Sequence, residues 1–360
     1  MRTLLTFPHW LENPYLQMLY LGVLADGWQL RGAVTLDALE TELAALGAGD
    51  IVHLQWTSPI CENQSDAATA AVAFQRFGAA VDAALDRGVR LLWTVHNLLA
   101  HDARYPDLEV RLAQFLADRS SRIVQLNPHT AAAARGLYDL PGDKLVTLRH
   151  ASYLGIYAPP PSALQARRFL NVPAAAPTVG FVGRIRPYKG VETLLAAVDR
   201  ATNSIPDLTL LLAGRTDPDH QRELDALLPG SVRAVRHHRH VPDGELGTWF
   251  AASSVMAFPY QRVLNSGSLL LAATFGRPCI LPAEPHLVDA YGDQAWISFF
   301  EPGPDAVASL AEAIVTALRQ PPTPRQAAAR AFAAEYTTHD MTADFVAIVD
   351  SLPHPEASLR

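Results

Sequence analysis

The alternation of short apolar runs with longer helical patterns constrains the fold more than any other feature of this sequence. In the first half, apolar runs such as RTLLTF, DIVHLQW and RLLWTVHN each precede a segment whose apolar residues recur every three or four positions. The alternation resumes with TVGFVG, LTLLLAG, SVRAVRH, SVMAFPY and PCILP. Such patterns form parallel sheets with helices on both faces. The sequence therefore predicts an α/β protein with two tandem Rossmann-like, doubly wound parallel-sheet domains.

Prolines and alanines interrupt the pattern in the middle of the chain, within ASYLGIYAPPPSALQARRFLNVPAAAP. We predict an N-terminal domain over residues 1–158, a linker over 159–176 and a C-terminal domain over 177–322. The helices of 323–360 could cross back to the first domain. Ligands of doubly wound sheets bind beyond the carboxyl ends of the strands, so we expect the site in a cleft between the domains.

Composition excludes several classes of protein. A hydrophobic fraction of 49% with 18% charged residues is typical of a globular chain, and the net charge of -7 argues against a nucleic-acid partner. Cys61 and Cys279 are the two cysteines and form no CxxC motif, so neither a disulfide framework nor a zinc knuckle is expected. The sequence contains no recognisable leader and no apolar run long enough to span a bilayer. These features predict a cytoplasmic location.

The segment GFVGRIRPYKG, residues 180–190, carries a predicted anion site. An apolar strand ends at Gly183 and a helix begins near Gly190, so backbone N–H groups and the positive end of a helix dipole meet there. Arg184 can form a bidentate contact with a phosphate, and Lys189 adds a compact charge. The alternative is a solvated basic turn. The Walker pattern GxxxxGK[ST] is missing, so this is not a P-loop.

A second helix start follows at residues 266–268, where Ser266, Gly267 and Ser268 precede an apolar helix. Their hydroxyls and amides could either cap the helix or meet a phosphate. Two phosphate-competent helix starts in one domain suggest a diphosphate, which a nucleotide would supply.

Taken together, GRIRPYKGVETLLAAV, LLLAGR, HVPDGELGTWFAASSVMAFPY and SGSLLLAATFGRPCI resemble the GT-B glycosyltransferases, nearest to the family 4 type of polysaccharide and glycolipid assembly. The resemblance covers nearly the whole chain. It implies a nucleoside-diphosphate sugar as co-substrate, with UDP or GDP as the expected nucleotide, and no other cofactor. It also implies a set of donor-binding residues: Gly183, Arg184, Lys189, His240, Val241, Asn265, Ser266, Gly267 and Ser268.

The same resemblance implies a saccharide or lipid-linked saccharide as acceptor, in exopolysaccharide or glycoconjugate assembly, with peripheral contact at the inner face of the membrane. A soluble small-molecule acceptor is the alternative. The chain departs from the family at Val263 and Leu271, where two glutamates usually stand, the second of which grips the donor ribose. This departure leaves the stereochemistry open between retention and inversion. It also raises the alternative of a nucleotide-binding scaffold without catalysis.

Two metal hypotheses are weaker. Asp217 and Asp219 have the Asp-x-Asp spacing by which GT-A glycosyltransferases hold Mn²⁺ or Mg²⁺, but they lie in a predicted turn. His237, His238 and His240 are close in sequence, yet alternation along a strand would separate neighbours. We therefore expect no metal. A nicotinamide site is disfavoured because GxGxxG is missing after the first strand.

In the N-terminal half, His96 and Asn97 follow an apolar strand, where an imidazole could transfer a proton or bond the donor sugar. By the resemblance, His96 matches a cleft histidine. Asp102 is a second candidate base, close to His101, with helix capping as the alternative. A buried, merely hydrogen-bonded histidine is the alternative for His96.

The segment HWLENPY, between the first strand and the first helix, is the predicted acceptor-side loop. Trp10 and Tyr15 could stack on a sugar ring, and Asn13 or its neighbour Glu12 could touch substrate. His150 and Tyr153 end the last strand of the domain and could line the same space. Packing or capping is the alternative for each. The apolar-aromatic face of Tyr15, Leu16, Leu19 and Tyr20 could touch lipid, although burial in the core explains these residues more simply.

Overall fold

The computed structural model describes residues 2–100 and 103–353. The chain forms two compact units, one made of residues up to His150 together with the chain from Thr338 onward, and the other of Ala151–Thr337. Each unit contains a six-stranded sheet in which all paired strands are parallel. The prediction of two doubly wound parallel-sheet domains is confirmed.

The first sheet has the strand order β2-β1-β3-β4-β5-β6. Its strands are β1 Thr3–Phe7, β2 Gln29–Gly32, β3 Ile51–Leu54, β4 Arg90–Val95, β5 Arg122–Gln125 and β6 Leu145–Thr147. Its helices are α1 Pro14–Leu19, α2 Leu21–Ala25, α3 Leu36–Ala44, α4 Ser58–Cys61, α5 Ala67–Asp86, α6 Pro106–Arg119 and α7 Thr130–Ala134. Every residue of β1, β3 and β4 is buried, as expected for a sheet covered on both faces.

The second sheet has the strand order β12-β11-β10-β7-β8-β9. Its strands are β7 Thr178–Val182, β8 Thr209–Ala213, β9 Arg233–His237, β10 Val255–Ala257, β11 Cys279–Pro282 and β12 Ile297–Phe300. The helices of this unit are α8 Ala163–Phe169, α9 Val191–Thr202, α10 Pro218–Leu227, α11 Asp243–Ala252, α12 Gly267–Thr274, α13 Pro285–Tyr291, α14 Ala306–Arg319 and α15 Pro322–Glu335. Val191, Leu194, Leu195 and Val198 form an apolar face of α9 that is buried.

The last helix, α16 Thr338–Asp350, packs on α1 and α2 and so belongs to the first unit. Thr342 fixes this packing, because its hydroxyl accepts a hydrogen bond from the backbone N–H of Gly22 and donates one to the carbonyl of Leu19. By contrast, α15 packs on α12 in the second unit. The two C-terminal helices grouped by the sequence in 323–360 therefore have different partners.

The segment predicted as a linker, 159–176, contains the helix α8, which packs on α11. A capping box begins this helix, since Ser162 accepts from the backbone N–H of Gln165 and the Gln165 side chain accepts from the backbone N–H of Ser162. The compact units accordingly divide at His150 rather than at residue 158.

The strand order of each sheet identifies one topological switch point, where successive connections run to opposite sides. It lies between β1 and β3 in the first sheet and between β7 and β10 in the second. Ligands of such sheets bind beyond the carboxyl ends of the strands at this point. The residues that follow β1, β3, β7 and β10 are therefore the first candidates for function.

Candidate active site

A pocket of about 330 Å³ opens at the carboxyl edge of the second sheet. It is lined by residues at and just after the ends of β7 and β8, and by residues just before and within the start of α11: Val182, Gly183, Arg184, Gly214, Arg215, His240, Val241, Asp243 and Leu246. The structure thus brings together four of the residues predicted to bind the donor. Gly214 is required here because a Cβ at this position would overlap the carbonyl oxygen of Gly183.

Arginine side chains give this pocket a positive charge. Burial, followed by the nearby charges of Arg186 and Arg215, lowers the pKa of Arg184 from its ordinary value. Arginine remains protonated at neutral pH after such a shift. Arg215 is a functional candidate that the sequence analysis missed, although it ends the quoted motif LLLAGR. Asp243 adds a carboxylate to the same pocket.

Beside the pocket, three side chains form a cluster at the switch point of the second sheet. The Lys189 ammonium lies 3.8 Å from the centre of the Tyr260 ring, and the Tyr260 hydroxyl donates a hydrogen bond of 2.8 Å to Ser268 Oγ. Lys189 follows β7, whereas Tyr260 follows β10. We call Lys189, Tyr260 and Ser268 the lysine cluster. Tyr260 was not predicted, because nothing in SVMAFPY indicates a partner 71 positions away in the chain.

The Lys189 ammonium is held in its charged form. Burial acts to lower its pKa, but the phenols of Tyr260 and Tyr188 outweigh that effect and the pKa lies above its ordinary value. Gly190 ends the preceding turn with φ of 66°, and a Cβ there would overlap the carbonyl oxygen of Pro259. This close approach brings Lys189 next to the residue that follows Pro259. The backbone thus holds the cation over the Tyr260 ring.

Gly183 links the lysine cluster to the pocket. It lines the pocket, and a Cβ built on it would lie 3.9 Å from Ser268 Oγ. A ligand that fills the pocket and extends past Gly183 would therefore reach Ser268. The cations at this edge, Arg184, Arg215 and Lys189, are suited to an elongated anion.

In the loop that leads into α12, Ser266 and Gly267 have different surroundings. Ser266 caps the helix, because its side chain accepts from the backbone N–H of Leu269, so the capping alternative describes this residue. Gly267 faces the Tyr153 hydroxyl, which would lie 3.0 Å from a Cβ at position 267. Asn265 is half-buried in the same loop. Tyr153, which the sequence assigned to the acceptor side, thus lies in the second unit beside the predicted donor loop.

At the departure from the family pattern, Val263 and Leu271 are both half-buried. The His286 ring donates a hydrogen bond of 2.7 Å to the Val263 carbonyl, which holds the loop in place. Leu271 lies on the face of α12 that also carries Gly267 and Thr274. Tyr153 contacts both Gly267 and Thr274. Its hydroxyl faces Gly267, and its backbone N–H donates a hydrogen bond to Thr274 Oγ1.

The residues of the two metal hypotheses have other partners. Asp217 lies 3.8 Å from the Arg186 guanidinium, and Asp219 pairs with Arg222. His238 is hydrogen-bonded to Thr216, and His237 lies 3.4 Å from the His240 carbonyl oxygen. Within residues 2–100 and 103–353, no three His, Cys, Asp or Glu side chains converge in a way that could hold a metal ion.

Aromatic rings stack at the switch point of the first sheet. Trp10, which follows β1, stacks on Trp56 at 4.8 Å between ring centres, and Trp56 stacks on His96 at 4.1 Å. Tyr15 meets the edge of His96 at 5.3 Å and lies 4.7 Å from His150. We call Trp10, Trp56 and His96 the ring stack. Trp56 was missed because it ends the run DIVHLQW, where an aromatic residue indicates strand packing.

His96 is neutral at physiological pH. The pKa of its imidazole lies well below the ordinary value, mainly because the ring is buried, and His150 and His53 lower this pKa further. Its Nε2 lies 2.7 Å from Gln55 Oε1. A neutral imidazole has one N–H and one lone pair, so it can act as either acid or base. Asn97 follows it and is half-buried.

The remaining candidates of the first unit are placed as follows. Asn13 caps α1 by accepting from the backbone N–H of Tyr15, as its alternative interpretation proposed. His150 packs on Tyr15 at the end of the unit. Asp102 and His101 lie outside the described residues.

The helix face proposed to touch lipid is part of the core of the first unit. All four of its side chains are buried: Tyr15, Leu16, Leu19 and Tyr20. These residues are thus buried in the core, as the simpler alternative predicted, and α16 packs on α1 and α2. Across residues 2–100 and 103–353, no helix has both the length and the apolar character that crossing a bilayer requires.

Comparison with protein families supports a sugar-transferring enzyme. Residues 176–320 match the model of "Glycosyl transferases group 1". Over 301 residues, covering 80% of this chain and 76% of the relative, the sequence is 27% identical to a GDP-mannose:glycolipid 4-beta-D-mannosyltransferase of Xanthomonas campestris pv. campestris. It is 26% identical over 260 residues to a D-inositol 3-phosphate glycosyltransferase of Corynebacterium glutamicum, covering 64% of this chain and 60% of that relative.

Solved structures share the whole fold. HepE of Anabaena, in complex with UDP and glucose, aligns with a TM-score of 0.74 at 14% identity, over 98% of this chain and 100% of that one. Sucrose-phosphate synthase of Thermosynechococcus elongatus aligns with a TM-score of 0.73 at 17% identity, over 98% and 99% of the two chains. These alignments show that the chain has the GT-B fold, and residues 176–320, which contain the second sheet, match the group 1 glycosyltransferases.

Proposed function

We propose that this enzyme transfers a sugar from a nucleoside-diphosphate sugar to a saccharide or lipid-linked saccharide. The observation that carries the proposal is the continuity of the pocket with the lysine cluster through Gly183. The pocket volume of about 330 Å³ suits a nucleoside, and the cations beside it suit a diphosphate. In this arrangement Arg184 and Lys189 stabilise the charge that develops on the leaving diphosphate.

We propose a GDP-sugar as the first candidate donor and a UDP-sugar as the second. The mannosyltransferase relative carries GDP-mannose in its name, and the HepE structure contains UDP. Calorimetric titration with GDP, UDP and ADP tests this choice, and we expect the tightest binding from GDP. The Arg184→Ala variant is the control for site-specific binding. If none of the three nucleotides binds at millimolar concentration, the nucleotide-sugar proposal is overturned.

We propose that the transfer needs no divalent metal, because Arg184, Lys189 and the N-terminus of α12 supply positive charge at the diphosphate. Activity should then persist in EDTA. Asp217→Asn together with Asp219→Asn should leave activity within about twofold, since both carboxylates pair with arginines. Activity that EDTA abolishes and Mn²⁺ restores would contradict metal independence.

For the acceptor, we propose that the ring stack and its loop bind a sugar of the saccharide. Trp10 forms the outer end of the stack, and an indole face packs well against the apolar face of a pyranose. The mannosyltransferase relative acts, by its name, on a glycolipid. A role in exopolysaccharide or glycoconjugate assembly follows from such an acceptor. Trp10→Ala should raise the acceptor KM while donor affinity stays constant.

Membrane contact is a separate part of this proposal. Because Tyr15, Leu16, Leu19 and Tyr20 are buried, a peripheral contact must use other side chains, and Leu11 beside Trp10 is 68% exposed. Co-sedimentation with anionic liposomes at low salt, compared with Leu11→Ser, tests it. A protein that stays in the supernatant at every lipid composition would contradict the membrane part and favour a soluble acceptor, such as the D-inositol 3-phosphate in the name of the other relative.

We also propose that transfer inverts the anomeric carbon. Inversion requires a base on the acceptor hydroxyl, and the neutral imidazole of His96 can serve as one. The glutamates that usually flank the donor loop are replaced by Val263 and Leu271, and the mannosyltransferase relative forms a β-linkage by its name. Proton NMR of the product made from an α-linked donor measures the outcome. An α-linked product would contradict this step.

A further inference from the structure

A network of buried polar side chains lies beneath the ring stack in the core of the first unit. The Tyr20 hydroxyl donates a hydrogen bond of 2.7 Å to Thr6 Oγ1 and lies 3.0 Å from His53 Nδ1. On the other side of that ring, His53 Nε2 lies 2.8 Å from Thr94 Oγ1. All four residues are almost completely buried. Buried polar groups with several partners are held in fixed positions.

Gln55 connects this network to the ring stack. It directly follows β3, at the switch point of the sheet, and is only 1% exposed. Its Nε2 donates a hydrogen bond of 2.8 Å to the Tyr20 hydroxyl, and its Oε1 lies 2.7 Å from His96 Nε2. One amide therefore contacts both the buried network and the proposed base.

The donors and acceptors define which nitrogen of His96 carries the hydrogen. The single hydroxyl hydrogen of Tyr20 goes to Thr6, so the Tyr20 oxygen accepts from the Gln55 amide nitrogen. The Gln55 amide oxygen then faces His96 and can only accept. His96 must consequently donate from Nε2. In a neutral ring, the lone pair is then on Nδ1.

We infer that Gln55 is a positioning residue, which holds His96 as the Nε2–H tautomer so that Nδ1 accepts the proton of the acceptor hydroxyl. This inference rests on the proposed role of His96 as base. The amide acts through the imidazole and need not touch substrate itself. A neutral amide suits this task, because it directs the ring without stabilising an imidazolium as a carboxylate would.

The groups that face His96 leave it neutral. Tyr15 meets its edge, Trp56 covers one face, and His150 and His53 both act to lower its pKa. Burial lowers the pKa of His53 to about 3, so that ring is also neutral at physiological pH. A carboxylate in place of the Gln55 amide would be the first negative charge among these described neighbours.

Two substitutions at position 55 separate positioning from packing. In Gln55→Glu, the carboxylate still accepts from Nε2 but stabilises the imidazolium, so the acid limb of the kcat profile should move up by at least one pH unit. Activity in acidic solution should fall accordingly and recover as the pH rises. In Gln55→Leu, kcat should fall about tenfold with no upward shift of the limb. Gln29→Glu adds the same charge at an exposed position of β2 and is the matched control.

A second measurement does not depend on activity. Ring ¹⁵N spectra of histidine-labelled enzyme report the tautomer directly, and the His96 signals are those lost in His96→Gln. We expect the Nε2–H tautomer in the unmodified enzyme. An Nδ1–H tautomer, or a Gln55→Glu variant with an unshifted acid limb, would overturn the inference. Unchanged nucleotide affinity and melting temperature in the variants check that the fold is intact.

The role of His96 as base and the positioning role of Gln55 can be contradicted separately. If His96→Ala keeps full activity, the base assignment of the proposed function is wrong, whatever the spectra show. If His96→Ala is inactive but Gln55→Leu keeps the full kcat, His96 acts without positioning by Gln55, and the inference alone is overturned.

Discussion

The carboxyl edges of the two sheets carry different chemistry on the same architecture. At the first edge, the ring stack and the side chains beneath it are uncharged. Burial lowers the pKa of both His96 and His53, which favours their neutral forms. At the second edge, Arg184 stays protonated, and the phenol of Tyr260 keeps the Lys189 ammonium charged. In both cases, the residues follow strands that lie at a topological switch point or next to one.

This difference supports our proposal that the two edges have separate tasks. A parallel sheet places side chains at its carboxyl edge, but the residues that follow the strands decide whether the edge binds anions or transfers protons. A carboxylate beside His96 would favour the imidazolium over the neutral ring, whereas each cation at the second edge would favour a bound diphosphate. The comparison predicts that substitutions at the first edge change kcat, and that substitutions at the second also change donor affinity.

The largest expected effect is that of His96→Ala. Loss of a general base lowers kcat by about 10²- to 10⁴-fold, while the affinity for the nucleotide should stay unchanged. Because the pKa of His96 lies well below its ordinary value, the unmodified enzyme should keep its activity into mildly acidic solution. Steady-state kinetics from pH 5 to 9 and calorimetry measure both quantities. A variant that loses nucleotide affinity but keeps kcat would contradict the assignment of proton transfer to the first edge and of donor binding to the second.

Next in size are Arg184→Ala and Lys189→Ala. Each removes a charge-assisted contact that should strengthen in the transition state, at a cost of about 2–4 kcal/mol, or about 30- to 1000-fold in kcat/KM. Both should also weaken nucleotide binding, and the double variant should lose less than the product of the two effects. Arg186→Ala is the matched control, since Arg186 lies in the same loop but is close to Asp217. Near-normal kcat/KM in both single variants would mean that the loop is only a basic turn.

A smaller effect is expected at Tyr260, which is 4% exposed and holds two members of the lysine cluster. Tyr260→Phe keeps the ring beneath Lys189 but loses the hydrogen bond to Ser268, which should reduce donor affinity by about 1 kcal/mol, roughly fivefold. Tyr260→Leu should lose about 1–3 kcal/mol, because the ammonium also loses the aromatic face.

A double-mutant cycle checks this interpretation of Tyr260. Tyr260→Phe and Ser268→Ala remove the two ends of the same hydrogen bond, so their combined effect on donor affinity should be smaller than the sum of the single effects. Additive effects would mean that Tyr260 and Ser268 act independently on the donor.

Features set by local sequence were predictable. The two sheets followed from alternation, and the pocket collects Gly183, Arg184, His240 and Val241 because each lies close to the end of a strand or the start of a helix. The helix α8 could also have been found, since Ser162 and Gln165 have the spacing of a capping box. The strand β12 was missed although AWISFF is a short apolar run after a turn.

Contacts between distant segments were not predictable. The Lys189 ammonium meets Tyr260, and Trp56 meets both Trp10 and His96, only because the sheet order brings separate strand ends together. Tyr153 was assigned to the acceptor side because it follows the last strand of the first sheet. The chain enters the second unit two residues earlier, and the hydroxyl instead faces Gly267.

The smallest effect concerns stability and a carboxyl group close to the first edge. Glu109, in the first turn of α6, is 2% exposed and accepts a hydrogen bond of 3.0 Å from Thr57. Burial raises the pKa of Glu109 from 4.5 to about 7. The folded state thus binds this proton more tightly than the unfolded state does. The resulting cost to stability is absent below about pH 4, grows as the pH rises toward 7, and is constant above that range.

Glu109→Gln should remove this cost, because an amide can still accept from Thr57 but never ionises. We expect the free energy of unfolding at pH 8 to increase by at most about 3 kcal/mol, with almost no change at pH 4. Urea unfolding at both pH values measures the difference. Asp107→Asn, an exposed carboxyl in the same helical turn, is the matched control and should change stability by less than about 0.5 kcal/mol at either pH. A stabilisation by Glu109→Gln that is equal at pH 4 and pH 8 would mean that packing, not the suppressed charge, governs this position, and the preference for neutral groups at the first edge would then not extend to Glu109.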